Sequence, residues 1–551
     1  MIVPPALFLL VAAAVAAVVP RRTGHAAGVL AALGALVVAL TTPLGTATDA
    51  TLFGFPARPV AVDGFTRVVG GALAFIAAAN TVYAYGSGAD RRETAIALAY
   101  AGASLGAVFA GDWLTLVVCW ELMAVAATLI VWRSTAGRVG YRYAVYHQIG
   151  GALLIAGVVA HYAATGSFVY AEGIATGLPR LLAAAGVLVN VGMLGVHVWI
   201  VDTYPRPSVT ASVVLCGLTT KVGVYTLVRV VPGRNVLLAY AGGAMLLFGV
   251  TMAILQTDLR RLLSYHIVSQ VGYMVAGVGV ASGLGYGGAM AHLANNVLYK
   301  TLLFMIAGVV LIETGTENLK KLGGLGRAMP ATAAAFAVAA LAISGIPGFS
   351  GFVSKGMVVD SVDAAGLDAL WWMLLLGGVG TVISFAKIAY YAFVRADPYG
   401  HDPGCATTAQ ITAMGGIAAV VVGFGLFPDL LLDLLPAGGD AAKVFAASQF
   451  EKALGVATVG LVAFAGLRRP LKRVTAVPDL DRVYHPTGSI LRDSVVRATT
   501  GVADALGQRR RSTGVAVLRA ASVDAGRPAS IGRSVLLLTL VAALVVVFLL
   551  S

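Results

Sequence analysis

Five ionisable side chains stand where an apolar sequence can least accommodate them. Glu121 lies in "DWLTLVVCWELMAVAATLIVW", Lys221 in "LCGLTTKVGVYTL", His292 and Lys300 in "AHLANNVLYKTLLFMIAG", and Lys355 in "SGIPGFSGFVSKGMVVD". At about 1.5 Å per helical residue, Glu121 is roughly 13 Å in from Asp112, near the midplane of a hydrocarbon layer about 30 Å thick. One charge at that depth costs roughly 2.5–3.5 kcal/mol on insertion scales, so a chain that keeps several must pair or hydrate them. Acid, ammonium and imidazole groups in series, bridged by water, are what passing a proton from site to site requires. Each group also has a structural alternative. Glu121 can staple two helices through a basic partner, Lys300 can snorkel beside Tyr299, and His292 can be a satisfied interior histidine. Depth favours function for Glu121 and Lys221, and two helical turns place His292 and Lys300 on roughly one face.

Lys355 is set apart by its context. Pro347 removes a backbone donor and the surrounding glycines relax the helix, so the run "SGIPGFSG" at 344–351 predicts a span broken inside the membrane. Broken helices at bilayer depth line hydrated cavities and mark ion sites, which puts water within reach of Lys355. A second interruption, "VDTYPRPSVTAS" at 201–212, reads either as a reentrant segment or as a short loop.

The elements that must position these groups follow from composition. The 551 residues are 59% hydrophobic and 11% charged, against about 25% charged in soluble chains. Long, uniformly apolar segments exclude a barrel and predict an all-α polytopic membrane protein, and the 67 glycines suit close helix packing in lipid. About sixteen spans are expected, from 3–19 to 535–550, among them 113–132, 181–201, 208–228, 287–311, 331–359 and 409–433. The N-terminal segment lacks a basic start and carries Arg21 and Arg22 at its far end, so it reads as a retained first span rather than a signal peptide. Arginines and lysines concentrate in loops after odd-numbered spans, which predicts an outward N-terminus. Residues 468–534 hold thirteen Lys/Arg against five Asp, giving a basic cytoplasmic segment suited to anionic lipid or a partner subunit, not to nucleic acid. Cys119, Cys216 and Cys405 show no metal-binding or disulfide spacing. A Gly-rich nucleotide loop and an Fe–S cysteine pattern are both missing, so neither cofactor nor metal is expected, and the chain is not expected to act as an enzyme by itself.

At these residues the sequence resembles the antiporter-like, proton-conducting membrane subunits shared by Mrp-type multisubunit Na+/H+ antiporters and respiratory complex I. The likeness covers most of residues 100–395. It rests on "CWELM" around Glu121, "VHVWIVDTYPRPSV" at 196–209, "LTTKVGVY" around Lys221, "DLRRLLSYHIVSQVGYMVAG" at 258–277, "AHLANNVLYKTLLFMIAG" at 291–308 and "SGIPGFSGFVSKG" at 344–356. "DLDRVYHP" at 479–486 is similar to a tail element of D-type antiporter subunits. The resemblance implies a fourteen-helix core with two inverted five-helix repeats and broken helices seven and twelve, plus about two C-terminal spans. It implies that Glu121 is the family's helix-five glutamate, Lys221 the helix-eight lysine, His292 and Lys300 the helix-eleven pair and Lys355 the helix-twelve lysine. Asn190 stands where complex I members usually carry a helix-seven lysine. It can hydrogen-bond Glu121 but cannot neutralise it, unless His197 or another group substitutes. Asn296 replaces a second histidine of many members, and Gly356 replaces an acid found in some.

The expected organisation is three N-terminal helices (1–93), a first repeat (94–228), a second repeat (236–393), C-terminal core helices (394–467), the basic segment (468–534) and a terminal helix (535–551). The expected function is proton conduction within a monovalent cation/H+ antiporter of a prokaryotic cell membrane, alongside other membrane subunits. The alternatives are a proton-pumping subunit of a complex I-like or hydrogenase assembly, and a structural subunit that has lost conduction.

Overall fold

The structure, a computed structural model, describes residues 3–473 apart from 136, 171–172, 398–399, 401–402 and 437–440. Ten of the described helical stretches, one of them Val209–Val230, are long and apolar enough to cross a bilayer, and the chain is a multi-pass membrane protein. Of the sixteen expected spans, fifteen fall on described helices. The segment from 474, with the expected span 535–550 and most of 468–534, lies outside the described residues.

The chain opens with α1 (Pro5–Val18) and α2 (Arg21–Thr41), separated at Pro20; α1 buries Leu9, Ala12 and Ala16. A β-hairpin follows, in a chain whose sequence predicts only helices. It pairs β1 (Ala47–Leu52) with β2 (Phe55–Ala61) through Phe53 and Gly54, both at positive φ. The turn lacks the Asn-Gly or Asp-Gly signature that flags such hairpins, which hides it from a reading of the sequence. The helices α3 (Gly64–Gly86), α4 (Arg91–Phe109) and α5 (Trp113–Ser134) each start at an aspartate, Asp63, Asp90 and Asp112, whose carboxylate accepts from first-turn backbone amides. After α6 (Gly137–Thr165), the seventh span is split into α7 (Leu178–Val191) and α8 (Val198–Thr203), leaving Pro205 and Pro207 in a short loop rather than a reentrant segment.

The eighth span departs from expectation. The sequence predicts one helix, but the chain breaks at Leu218 into α9 (Val209–Gly217) and α10 (Thr219–Val230). Next come α11 (Val236–Leu255), α12 (Leu259–Val280) and the long α13 (Gly283–Thr314). A short α14 (Leu325–Ala328) precedes the split twelfth span, α15 (Pro330–Ser344) and α16 (Ser350–Ala364). The chain continues through α17 (Asp368–Ile388), which ends in a π-helical turn at Ala389–Val394, then α18 (Thr408–Leu426) and α19 (Asp429–Leu432). The expected span 409–433 therefore stops short, at Leu426. Last are α20 (Ala441–Val444) and α21 (Ala447–Arg473).

The chain pattern recurs. Asp112 caps α5 while Trp113 N donates to Phe168 O at 2.8 Å; Asp258 caps α12 while Leu259 N donates to Glu317 O at 2.9 Å. Helix α7 ends at Gly192 (φ 76°) with Gly195 (φ 94°) just beyond, and α15 ends at Gly345 (φ 75°) with Gly348 (φ 87°) just beyond. All four glycines occupy left-handed backbone that a side chain would strain, so each break is written by a Gly-x-x-Gly pair. Close packing relies on glycine too. A Cβ on Gly272 of α12 would stand 2.5 Å from the Gly242 carbonyl oxygen of α11, so only hydrogen lets these backbones meet.

Candidate proton-relay site

Glu121 is half-buried on α5, with its carboxylate packed against Gly151 of α6, where any added Cβ would collide with it. Its Oε1 has no hydrogen-bond partner among the described residues. One turn earlier on α6, His147 is buried and its Nδ1 lies 2.9 Å from Asn190 Oδ1. A carboxamide oxygen accepts, so Nδ1 carries the proton in this pair. The expected hydrogen bond from Asn190 to Glu121 is thus replaced by one to His147. The His147 ring also packs on Tyr143 and Trp199, with centroids 4.1 and 4.5 Å away. His197, in the break between α7 and α8, is buried with its ring edge-on to Phe248 of α11 at 4.9 Å.

Lys221 is fully buried at the start of α10. The break at Leu218 interrupts the helical ladder and frees carbonyls of α9, and Lys221 Nζ donates to one of them, Cys216 O, at 2.8 Å. Beside it Thr219 receives Tyr100, whose hydroxyl accepts from Thr219 N at 3.0 Å. Lys300, also fully buried, donates from Nζ to Leu263 O of α12 at 2.9 Å, and lies within electrostatic reach of both Lys221 and Lys355. Lys355 sits one turn into α16. Its Nζ donates to Ile343 O across the break at 2.5 Å and stands 4.9 Å above the Tyr273 ring. The three ammonium groups therefore share one ligand type, a main-chain carbonyl, and none pairs with a carboxylate among the described residues.

His292 joins the lysines. Its Nδ1 is 3.0 Å from Ser354 Oγ, the residue before Lys355, and its Nε2 is 3.4 Å from Tyr299 OH, the residue before Lys300. Asn296 Nδ2 donates to the same phenol at 3.1 Å, and that phenol reaches Gln270 Oε1 at 3.4 Å. The structure thus brings Lys221, Lys300, His292, Asn296 and Lys355 into one polar seam through α10, α12, α13 and α16. Glu121 on α5 stands apart from it, as does the His147–Asn190 pair.

Among the buried ionisable groups outside the set that the sequence picks out are His147, His266 and Lys387. His266 of α12 lies within electrostatic reach of Lys300, Lys355 and Lys387. Lys387, at the end of α17, donates to Ile254 O at 2.7 Å and to Gln256 O, carbonyls at the end of α11. Lys387 is detectable as an ionisable residue within an apolar span, but its place near the span end gives it the look of a snorkelling lysine. His147 and His266 carry a signal in spacing: the step from Glu121 to His266 equals that from His147 to His292.

Residues 110–384, which hold this seam, match the family described as NADH:quinone oxidoreductase/Mrp antiporter, TM. The chain is 31% identical over 358 residues to the N subunit of NADH-quinone oxidoreductase from Desulforudis audaxviator, covering 59% of this chain and 71% of that one. The chain belongs to this family. It is also 34% identical over 309 residues to the D subunit of the Na(+)/H(+) antiporter from Alkalihalophilus pseudofirmus; that match spans 52% of this chain and 63% of the relative's length, just under two thirds. A chain of the solved Mrp complex from Dietzia sp. DQ12-45-1b superposes with a TM-score of 0.70 at 20% identity, covering 82% of this chain and 99% of that one. The fold is therefore that of the antiporter-like membrane subunits.

Proposed function

We propose that this chain is a proton-conducting subunit of a multisubunit monovalent cation/H+ antiporter in a prokaryotic cell membrane, working beside other membrane subunits. One observation carries the reading: Lys221, Lys300, His292 and Lys355 form a buried series joined through main-chain carbonyls, hydroxyls and mutual electrostatic reach. Groups of this kind, kept at bilayer depth despite their cost, mark ion and proton paths. Glu121 is the loading acid in this account, His147 and Asn190 orient around it, and Asn296 steadies Tyr299. The recurring aspartate-capped helix and Gly-x-x-Gly break support dividing the core into repeats at 94–228 and 236–393. The distribution of arginines supports an outward N-terminus, with the β-hairpin outside.

The decisive experiment measures ΔpH-linked Na+ or K+ flux in proteoliposomes holding the purified complex. Glu121→Gln and Lys221→Ala each abolish proton flux while the complex still assembles. Wild-type flux from either variant removes that residue from the path.

The similarity to an oxidoreductase subunit over 71% of its length favours a second reading, a proton-pumping subunit whose redox chemistry sits in other chains. Copurified partners separate the two: small hydrophobic subunits for the antiporter, Fe–S and flavin chains for the pump. Asn190 in place of a lysine supports the third reading, a structural subunit that no longer conducts, and the flux measurement decides it.

A further inference from the structure

Lys355 lines a small cavity bounded by α12, α16, α17 and α21, with Tyr273, Gly378, Gln449 and Lys452 among its walls. On the other side of α16 lies a second small cavity, lined by Gly356, Asp360, Leu432, Lys443 and Gln449. The second cavity adjoins the face that carries the β-hairpin: α19, which supplies Leu432, runs into Leu434 and Pro436, and these pack on Gly64 just after the hairpin. Phe352, Gly356 and Gln449 are common to both cavities, so the two meet where Gln449 enters the space over Gly356.

That contact is close. A Cβ on Gly356 would stand 3.2 Å from Gln449 Oε1, so a larger side chain at 356 would crowd the glutamine. Gln449 is held there by Asp360, one turn further along α16, whose Oδ2 accepts from Gln449 Nε2 at 2.5 Å. Asp360 Oδ1 also accepts from Lys452 Nζ at 2.9 Å. The carboxylate faces the outer cavity and its lysine partner lines the inner one, so the ion pair bridges the divide beside the glutamine. Both Asp360 and Lys452 are about one-third exposed, which leaves the pair soft and exchangeable.

We propose that Gln449 of α21 is the gate between the Lys355 cavity and the hairpin face, latched by the Asp360–Lys452 pair, and that the ion it passes is a proton carried on water. The chemistry fits: a carboxamide both donates and accepts, so it can sit in a water file or interrupt one without bearing charge. The gate builds on the proton-relay reading but rests on geometry that can be tested without transport.

The first readout is access. In the full chain, in membrane vesicles, with Cys405→Ser removing the exposed native thiol, Val359→Cys reports on the Lys355 cavity that Val359 lines. A charged, membrane-impermeant methanethiosulfonate applied from the hairpin side modifies this cysteine at least fivefold faster when Gln449→Ala is added. Equal rates with and without Gln449→Ala overturn the gate. The second readout is flux in the reconstituted complex: Gly356→Leu, which fills the junction but leaves Lys355 in place, lowers proton flux at least tenfold, and wild-type flux from this variant also overturns it. If Glu121→Gln and Lys221→Ala both leave flux unchanged while the access result holds, the relay reading fails and the gate stands.

Discussion

The two halves of the core place ionisable groups at matching intervals and fill them differently. In the first half the paired positions hold Glu121 and His147; in the second they hold His266 and His292. The first broken span carries neutral Asn190 just before its break, bonded to His147, whereas the second carries Lys355 just after its break, bonded to the Ile343 carbonyl. The first half thus offers a carboxylate and, separately, an imidazole–carboxamide pair. The second offers amines and imidazoles, with no carboxylate bonded to them among the described residues. One backbone plan therefore supports two electrical characters, because a helix break supplies free carbonyls and donors whatever side chain stands beside them.

The contrast can be broken most directly at the histidines. His292→Phe removes the side chain that contacts both Ser354 and Tyr299, and we expect proton flux in the reconstituted complex to fall about tenfold or more. His147→Phe is expected to cost less. An equal loss from both would mean that the halves work alike and the asymmetry is incidental. A smaller effect sharpens the account of the first half: Asn190→Ala leaves His147 Nδ1–H without its acceptor, and the loss of one buried hydrogen bond corresponds to roughly a threefold drop in flux. No change would assign Asn190 a packing role only.

The smallest expected effect concerns the caps. At the loop end of α12, burial and the neighbouring Glu317 carboxylate push Asp258 up to about 6, against the pull of Arg260 and Arg261. A carboxyl raised on folding holds its proton more tightly in the native state, so its ionisation opposes folding increasingly as pH rises from about 4 to about 6 and fully above that. Asp258→Asn keeps a side chain able to cap α12 and removes the charge. We expect its melting temperature in detergent to rise by roughly 1–2 °C at pH 8 and not at pH 4. A gain at both pH values would point to capping rather than charge.

Much of this is legible in the sequence, for physical reasons. Long apolar segments leave only helices as a way to satisfy the backbone in lipid, so the spans emerge to within a few residues. The break in the twelfth span is visible because proline and glycine write it into the chain. The break at Leu218 is not, since Gly217 stands before it alone, with no proline or second glycine, and single glycines recur inside unbroken helices of this chain. Site residues at mid-span, Lys221 and Lys300, stand out by depth alone. His147 and Lys387, near span ends, are buried only because neighbouring helices cover them, and a single sequence does not show which helices those are. Gly356 reads in the sequence as a deficit, an acid lost, whereas in the fold α21 uses the room it leaves.

The three lysines rest on peptide oxygens, which neither titrate nor migrate and retain no record of the side from which a proton arrived. Each oxygen accepts a stronger hydrogen bond from the charged ammonium than from the free amine, whichever face the proton came from. A line of such seats lacks a built-in rectifier, so the direction of travel is left to the gradients across the bilayer and to the proteins that set them.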